Sequence, residues 1–217
     1  MKLKIAAIII STLDHYEYFL QSRQALESQN VDVYYRFDIQ AKKIKSQLFN
    51  EIYAIIRDQY EYLVLCDADD YSMQNRVQIS IQSLEDCDIV YGDSLEKNKT
   101  NRMQRKNSKP FSPGVRYTNP IIYSSVMVRT SVFDGLSDEI KYGEDWLTWN
   151  KLALKGARFK HISKILVTRL THTSHFLSKV PVYRKFKRLA MTRKARTAIE
   201  EFYQTASDKR LYRKLYG

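Results

Sequence analysis

Tyr62-Leu63-Val64-Leu65-Cys66-Asp67-Ala68-Asp69-Asp70 is an apolar run that ends abruptly in three carboxylates within four residues. The apolar half reads as a buried strand. Clustered carboxylates repel one another and lose hydration when a fold presses them together, so a cation is their natural neutraliser. Oxygen ligands suit Mg2+ or Mn2+, which keep open positions for phosphate oxygens and so favour a nucleoside diphosphate as partner. The same run also suits a plain solvated acidic turn, since Asp is a common turn residue.

Before this run, apolar patterning alternates between strand and helix. Ile5 to Ser11 is a β-branched strand followed by a turn at Thr12-Leu13-Asp14, and Tyr16 to Ser28 repeats apolar residues at helical spacing. Val31 to Phe37 reads as a second strand ending at Asp38, and Lys42 to Arg57 as an amphipathic helix with Ile44, Leu48, Ile52, Ile55 and Ile56 on its stripe. Tyr62 to Cys66 is the third strand and Asn75 to Leu84 the next helix. The β-α-β-α-β-α order predicts an α/β fold with an open, mostly parallel sheet flanked by helices, whose ligands bind at the carboxyl ends of the strands. Thr12, Asp38 and Asp67 to Asp70 fall at those ends.

Beyond Ile89-Val90-Tyr91-Gly92-Asp93 the pattern breaks. Lys97 to Lys109 is polar, rich in Asn, Lys and Arg, and reads as a long loop, either solvated or covering a substrate. Ile121 to Val128 resumes as a strand, Trp146 to Leu154 is a helix stopped at Gly156, Phe159 to Val167 is a strand region, and Tyr183 to Tyr203 is a basic helix. The chain has no Gly-rich phosphate loop and no zinc-type Cys/His spacing.

Length and composition suit one soluble domain with an appended terminal segment. Cys66 and Cys87 are too few for a disulfide framework, which favours a reducing, cytoplasmic setting. Ile5 to Ile10 is too short for a secretory leader, and no stretch approaches the roughly 18 apolar residues that span a bilayer. The formal charge is +12, yet residues 179–217 hold twelve Lys or Arg against Glu200, Glu201 and Asp208. A nearly balanced body argues against a uniformly basic nucleic-acid surface, so no nucleic acid is expected as partner.

Two further constellations carry chemistry. In Tyr142-Gly143-Glu144-Asp145-Trp146-Leu147-Thr148-Trp149, two acids precede an amphipathic helix. Acids there serve as helix caps, while a carboxylate beside an aromatic face suits a sugar: one group takes a hydroxyl proton and the other stacks on the ring. In Arg169-Leu170-Thr171-His172-Thr173-Ser174-His175, two histidines three apart stand in a polar segment.

In order and spacing, the strings IAAIIIST, VLCDADD, CDIVYGD, NPIIYSSVMVRTSVF, GEDWLTWNKLALKG and RLTHTSHFLS resemble glycosyltransferase family 2 on the GT-A fold, over about residues 3–178. The most specific part is DADD followed some 75 residues later by Glu-Asp-Trp and then Arg-x-x-His-x-x-Ser. The resemblance implies a GT-A domain over 1–178, with 179–217 as a basic helical extension. It implies an inverting, metal-dependent transfer of a sugar from a nucleoside diphosphate, UDP favoured, to a hydroxyl of a glycan or lipid-linked acceptor. Surface polysaccharide or lipopolysaccharide synthesis is the implied setting. Asp145 matches the catalytic base, with Glu144 and Trp146 on the acceptor side. Asp69 matches the metal ligand of the family's DXD element, and His172 a histidine that reaches diphosphate or metal. Asp67, nearer the ribose, and Asp38 match donor contacts, with Ser11, Thr12, Asn50 and Ala68 completing that site. The implied cofactor is Mn2+ or Mg2+. The sequence departs from the family pattern at Phe49-Asn50, where an Arg-Asn pair is usual.

On the extension, Val182, Phe186, Leu189 and Ala190 share a helical face ringed by Lys185, Arg188, Arg193, Lys194 and Arg196. This suits either packing on the body or peripheral contact with the anionic inner face of a membrane, the latter being expected. Rival readings are a nucleotidyltransferase, which normally needs a Gly-rich loop that Ser11 to Tyr16 lacks, and a nucleic-acid-binding protein driven by the basic tail.

Overall fold

The computed structural model describes residues 3–38, 44–97, 102–113, 119–140 and 143–170, together with 193–194 and 197–198. Its strands and helices run β1 (Ile5–Ser11), α1 (Tyr16–Glu27), β2 (Asp32–Phe37), α2 (Lys45–Ile56), β3 (Tyr62–Leu65), β4 (Asp70–Ser72), α3 (Arg76–Ser83), β5 (Ile89–Lys97), β6 (Met103–Lys106), β7 (Met127–Arg129), α4 (Glu144–Leu154) and β8 (Phe159–Leu170).

Side-chain alternation along β1 and β3 decides where the helices lie. Ala6, Ile8, Leu63 and Leu65 pack with Phe49 and Tyr53 of α2 and Trp149 and Leu152 of α4. Ile5, Ala7, Ile9, Tyr62 and Val64 pack on the opposite face with Phe19 and Leu26 of α1 and Val77 of α3. A sheet covered on both faces needs uninterrupted apolar strands, which explains the composition of β1 and β3. The stripe of α2 is corrected in one respect. Leu48, Phe49, Tyr53 and Ile56 are buried, whereas Ile55 is 73% exposed.

The sheet order is β2-β1-β3-β7-β5-β8-β4, with β6 pairing on β5. β2 and β3 flank β1 in parallel, and β5 runs parallel to β8. β7 is antiparallel to both β3 and β5, β4 to β8, and β6 to β5. The sheet is mixed, as the GT-A resemblance implies, but it is not mostly parallel: β2-β1-β3 and β5-β8 pair in parallel and the other four pairings are antiparallel.

The expected polar loop at Lys97 to Lys109 is also corrected, because β5 continues to Lys97 and Met103–Lys106 pairs back on it. All four residues of β6 are exposed, so no apolar periodicity marked it as a strand. The expected strand Ile121 to Val128 shortens to β7, preceded by a 3-10 turn at Tyr123–Ser125. The 179–217 extension lies outside the described residues except for Arg193, Lys194, Thr197 and Ala198, which are helical. Among the described residues no helix is long and apolar enough to cross a membrane.

Candidate active site

The carboxyl end of β3 is anchored from below by Arg76, which is fully buried. Its guanidinium donates to the Leu65 carbonyl at 2.8 Å, the Val126 carbonyl at 3.0 Å and the Ser72 hydroxyl at 2.9 Å. It thereby ties β3, β4 and the approach to β7 together where the acidic turn begins. The turn itself closes with the Asp70 amide donating to the Asp67 carbonyl at 3.2 Å.

Asp67 is held on both oxygens. Lys45, the first residue of α2, forms an ion pair with Oδ1, and the Ser124 hydroxyl donates to Oδ2 at 3.3 Å. The same ammonium stands 4.1 Å from the centre of the Tyr123 ring, a cation–π contact. Burial works against charge on both partners, yet the Asp67 carboxylate lifts the Lys45 ammonium, and Lys45 holds Asp67 below the usual carboxylate range. Asp67 is thus built to stay ionised.

Its neighbour differs. Asp70 is buried, and that burial together with the charge on Asp67 pushes it up to about 7. Arg169 of β8 lies 3.5 Å from Asp70 and donates to Glu96 at 3.0 Å, bringing a guanidinium to the rim of the turn. Among the described residues no group of three or more His, Cys, Asp or Glu forms a ready cage for a metal. Mg2+ needs none, because one or two carboxylates, substrate phosphates and water suffice. The all-oxygen turn fits such an ion, and the mutual repulsion of Asp67 and Asp70 is what a cation would relieve.

On the other side stands α4, whose start is set by Gly143 in a left-handed conformation (φ 80°) that a β-carbon would disfavour. Glu144 and Asp145 follow in the first turn. Asp145 accepts from the Trp146 amide at 2.8 Å through Oδ1 and from the Asn119 side-chain amide at 2.7 Å through Oδ2. Burial and the negative charge of Glu144 push Asp145 up to about 7. A carboxylate with a neutral donor and a like-charged neighbour has the proton affinity of a general base near neutral pH.

Asp67 and Asp145 line one cavity of about 360 Å3, together with Asn119, Tyr123, Ser124, Arg169 and the lysines Lys106 and Lys109. Of the expected site residues, these two carboxylates are brought together there, and Glu144 lies close enough to feel Lys45 and Asp67. Asp69 is partly buried within the same turn, and Ala68 is buried beside it. Ser11 is buried at the end of β1, and Thr12 and Asp38 follow β1 and β2, with the Asp38 amide donating to the Ser11 carbonyl at 2.8 Å. None of these three lines the cavity. Asn50 is spent elsewhere: its amide clamps the Leu136 backbone, donating to the carbonyl at 2.7 Å and accepting from the N–H at 2.8 Å. Trp146 is only 3% exposed and packs within the body, where it offers no open face to a ring. His172 lies outside the described residues.

Four residues that sequence reasoning missed shape the site, Lys45, Asn119, Tyr123 and Ser124, together with Arg169, which it read only as the start of the histidine-bearing segment. Lys45 had a weak signal as the last of three lysines, with Lys42 and Lys43, that open an apolar helix. Asn119, Tyr123 and Ser124 sit in irregular backbone before β7 and carried no periodicity to flag them.

No protein-family model matches the sequence, and no curated protein matches it. The fold is similar to solved structures of S. aureus TarS. Against residues 1–349 of that protein the TM-score is 0.52 at 16% identity, over 90% of this chain and 72% of that one. Against the same segment in complex with UDP-GlcNAc it is 0.52 at 15% identity, over 88% and 66%. Against a longer TarS chain it is 0.50 at 14% identity, over 89% of this chain and 43% of that one, so the present chain spans less than half of that longer protein. At these identities the likeness is one of fold, a GT-A-like mixed α/β sheet, and the expected family 2 membership has no sequence match behind it.

Proposed function

We propose that the chain is an inverting glycosyltransferase that moves a sugar from a nucleoside diphosphate, UDP favoured, to an acceptor hydroxyl. One observation carries the reading: a single cavity joins a carboxylate held ionised, Asp67, to a carboxylate poised near neutral pH, Asp145. The fold likeness to a protein crystallised with UDP-GlcNAc agrees with it.

In this reading Asp67, with its partner Lys45, lies on the donor side, and Arg169 faces the departing diphosphate. A magnesium or manganese ion held by Asp69 within the acidic turn would neutralise charge on the leaving group. Asp145 takes the proton of the acceptor hydroxyl as its oxygen bonds to the anomeric carbon. The bond from that carbon to the diphosphate oxygen breaks on the opposite face, and configuration inverts. Asn119 holds the base in place and disfavours its protonation. An acceptor in surface polysaccharide or lipopolysaccharide synthesis, with the basic extension on an anionic membrane, extends the same proposal.

The test is calorimetric titration with UDP, GDP, TDP and CMP, each with and without manganese, on wild type and Asp69→Ala. Manganese-dependent binding of one nucleotide, lost in the variant, is the expected result. Absence of binding by every nucleotide would overturn the glycosyltransferase reading.

A further inference from the structure

The cavity wall facing the acidic turn is a strap, Arg105 to Phe111, whose side chains are largely exposed but whose backbone is fixed from beneath. Asp93, 1% exposed, accepts from the Ser108 amide at 2.9 Å and pairs with Arg105 and with His161 at 3.0 Å. The Ser108 hydroxyl donates to the Gly92 carbonyl at 2.7 Å. Tyr91, also buried, donates its hydroxyl to the Lys109 carbonyl at 2.9 Å and accepts from the Phe111 amide at 2.6 Å. A buried carboxylate and a buried phenol are thus committed to holding one short polar segment. What that segment presents to the cavity is Lys106, Asn107 and Lys109.

The cations at the cavity are not equally committed. At the Asp67 end stand Lys45 and Arg169, enough to meet a diphosphate. Lys109 stands on the strap. Its amide donates to the Pro120 carbonyl at 3.1 Å, and the adjacent Asn119 donates to Asp145. No carboxylate among the described residues pairs with Lys109, while Lys106 shares Glu96 with Arg169. Lys109 thus brings to the cavity that Asp145 lines a positive charge with no ion-pair partner among the described residues.

We propose that this strap is an anion subsite for the acceptor, receiving a phosphate or carboxylate carried next to the attacking hydroxyl, with Lys109 as its main contact and Lys106 and Asn107 beside it. The assignment rests on the glycosyltransferase reading and names its acceptor class.

The experiment is calorimetric titration of the UDP-saturated protein with glucose 6-phosphate and glucuronate, with glucose as the neutral control, on wild type, Lys109→Gln and Lys106→Gln. Both substitutions are at exposed positions and leave the buried anchors intact. Binding of a charged probe but not of glucose is expected, weakened about tenfold in Lys109→Gln and less in Lys106→Gln. UDP affinity should stay within about twofold in both variants, as expected for residues that do not touch the diphosphate. If Lys109→Gln instead weakens UDP and no charged sugar binds the loaded protein, the lysines serve the donor and the proposal is overturned. If UDP does not bind wild type at all, the glycosyltransferase reading fails separately, and titration with inorganic phosphate decides the subsite. Phosphate binding lost in Lys109→Gln would support an anion site, and binding unchanged in that variant would overturn it.

Discussion

Asp67 and Asp145 face the same cavity and have opposite proton affinities. Asp67 sits against an ammonium that itself lies over an aromatic ring, so burial strengthens the pair's attraction and keeps the carboxylate charged. Asp145 has a neutral amide and a backbone N–H for company, with Glu144 beside it, so the same burial favours its protonated form. Neighbouring charge, more than depth, separates the two acids. Such a separation divides a site into one group that holds a charge and one that moves a proton.

The largest effect should come from removing the second group. Asp145→Asn keeps the shape but cannot accept a proton, and its single oxygen serves only one of the Asn119 and Trp146 donors, so sugar transfer should fall by on the order of a hundredfold or more while UDP binding persists. Near-normal turnover in a folded variant would refute the role. In wild type, activity should rise with pH through about 7 as Asp145 loses its proton. Below that point it should fall about tenfold per pH unit, the slope of a single essential ionisation. A flat profile between pH 5.5 and 8 would separate the base from Asp145.

The first group is tested by making it resemble the second. Lys45→Met removes the counter-ion, so Asp67 should titrate closer to neutral, and the acid limb of UDP binding should move up by about one pH unit. Lys45→Arg should restore the wild-type limb. An unmoved limb in the Met variant would show that Arg169 and Ser124, not Lys45, keep Asp67 ionised.

Smaller again is the effect of the neutral donor. Asn119→Leu leaves one Asp145 oxygen without its hydrogen bond, which should raise the acid limb of kcat/KM by a few tenths to about one pH unit. KM for the donor should barely change. A drop in activity with no shift of the limb would mean that Asn119 orients substrate and does not tune the base.

These two halves of the site were not equally legible in the sequence. Parallel strands covered on both faces must be continuously apolar, so β1, β3 and the acids that end β3 were plain, as was the acid-then-tryptophan start of α4. The second half of the sheet is assembled differently. β6 is exposed on every residue, β7 is three residues long, and both are held by pairing with β5. Contacts such as Asn119 to Asp145 or Tyr91 to Lys109 join a side chain to a distant partner, and no local spacing encodes them. Asn50 shows the converse error. A polar residue where the resemblance expected a donor contact is a structural clamp on Leu136, beside Gly135, where a β-carbon would stand 2.6 Å from the Asn50 side-chain oxygen.

The smallest effect reads the same contrast as stability. Asp145 has a folded-state pKa of about 7 against an unfolded value of about 3.9. A raised carboxyl is most favourable to the fold at low pH, where both states are protonated, and destabilises progressively as pH rises from about 4 to about 7. Asp145→Asn removes that penalty. Its Tm should therefore exceed that of wild type at pH 8 by a few degrees, roughly what 1–2 kcal/mol gives in a domain of this size, and the difference should shrink towards zero near pH 4. Asp67 should behave in the opposite sense, because its pairing with Lys45 stabilises the fold above the unfolded carboxylate pKa and is lost as pH falls through the depressed folded value. Asp67→Asn should accordingly lower Tm at pH 8 and recover only at acid pH. If both variants shifted Tm in the same direction at pH 8, the two carboxylates would not be held in opposite charge states, and the division of labour between them would fall.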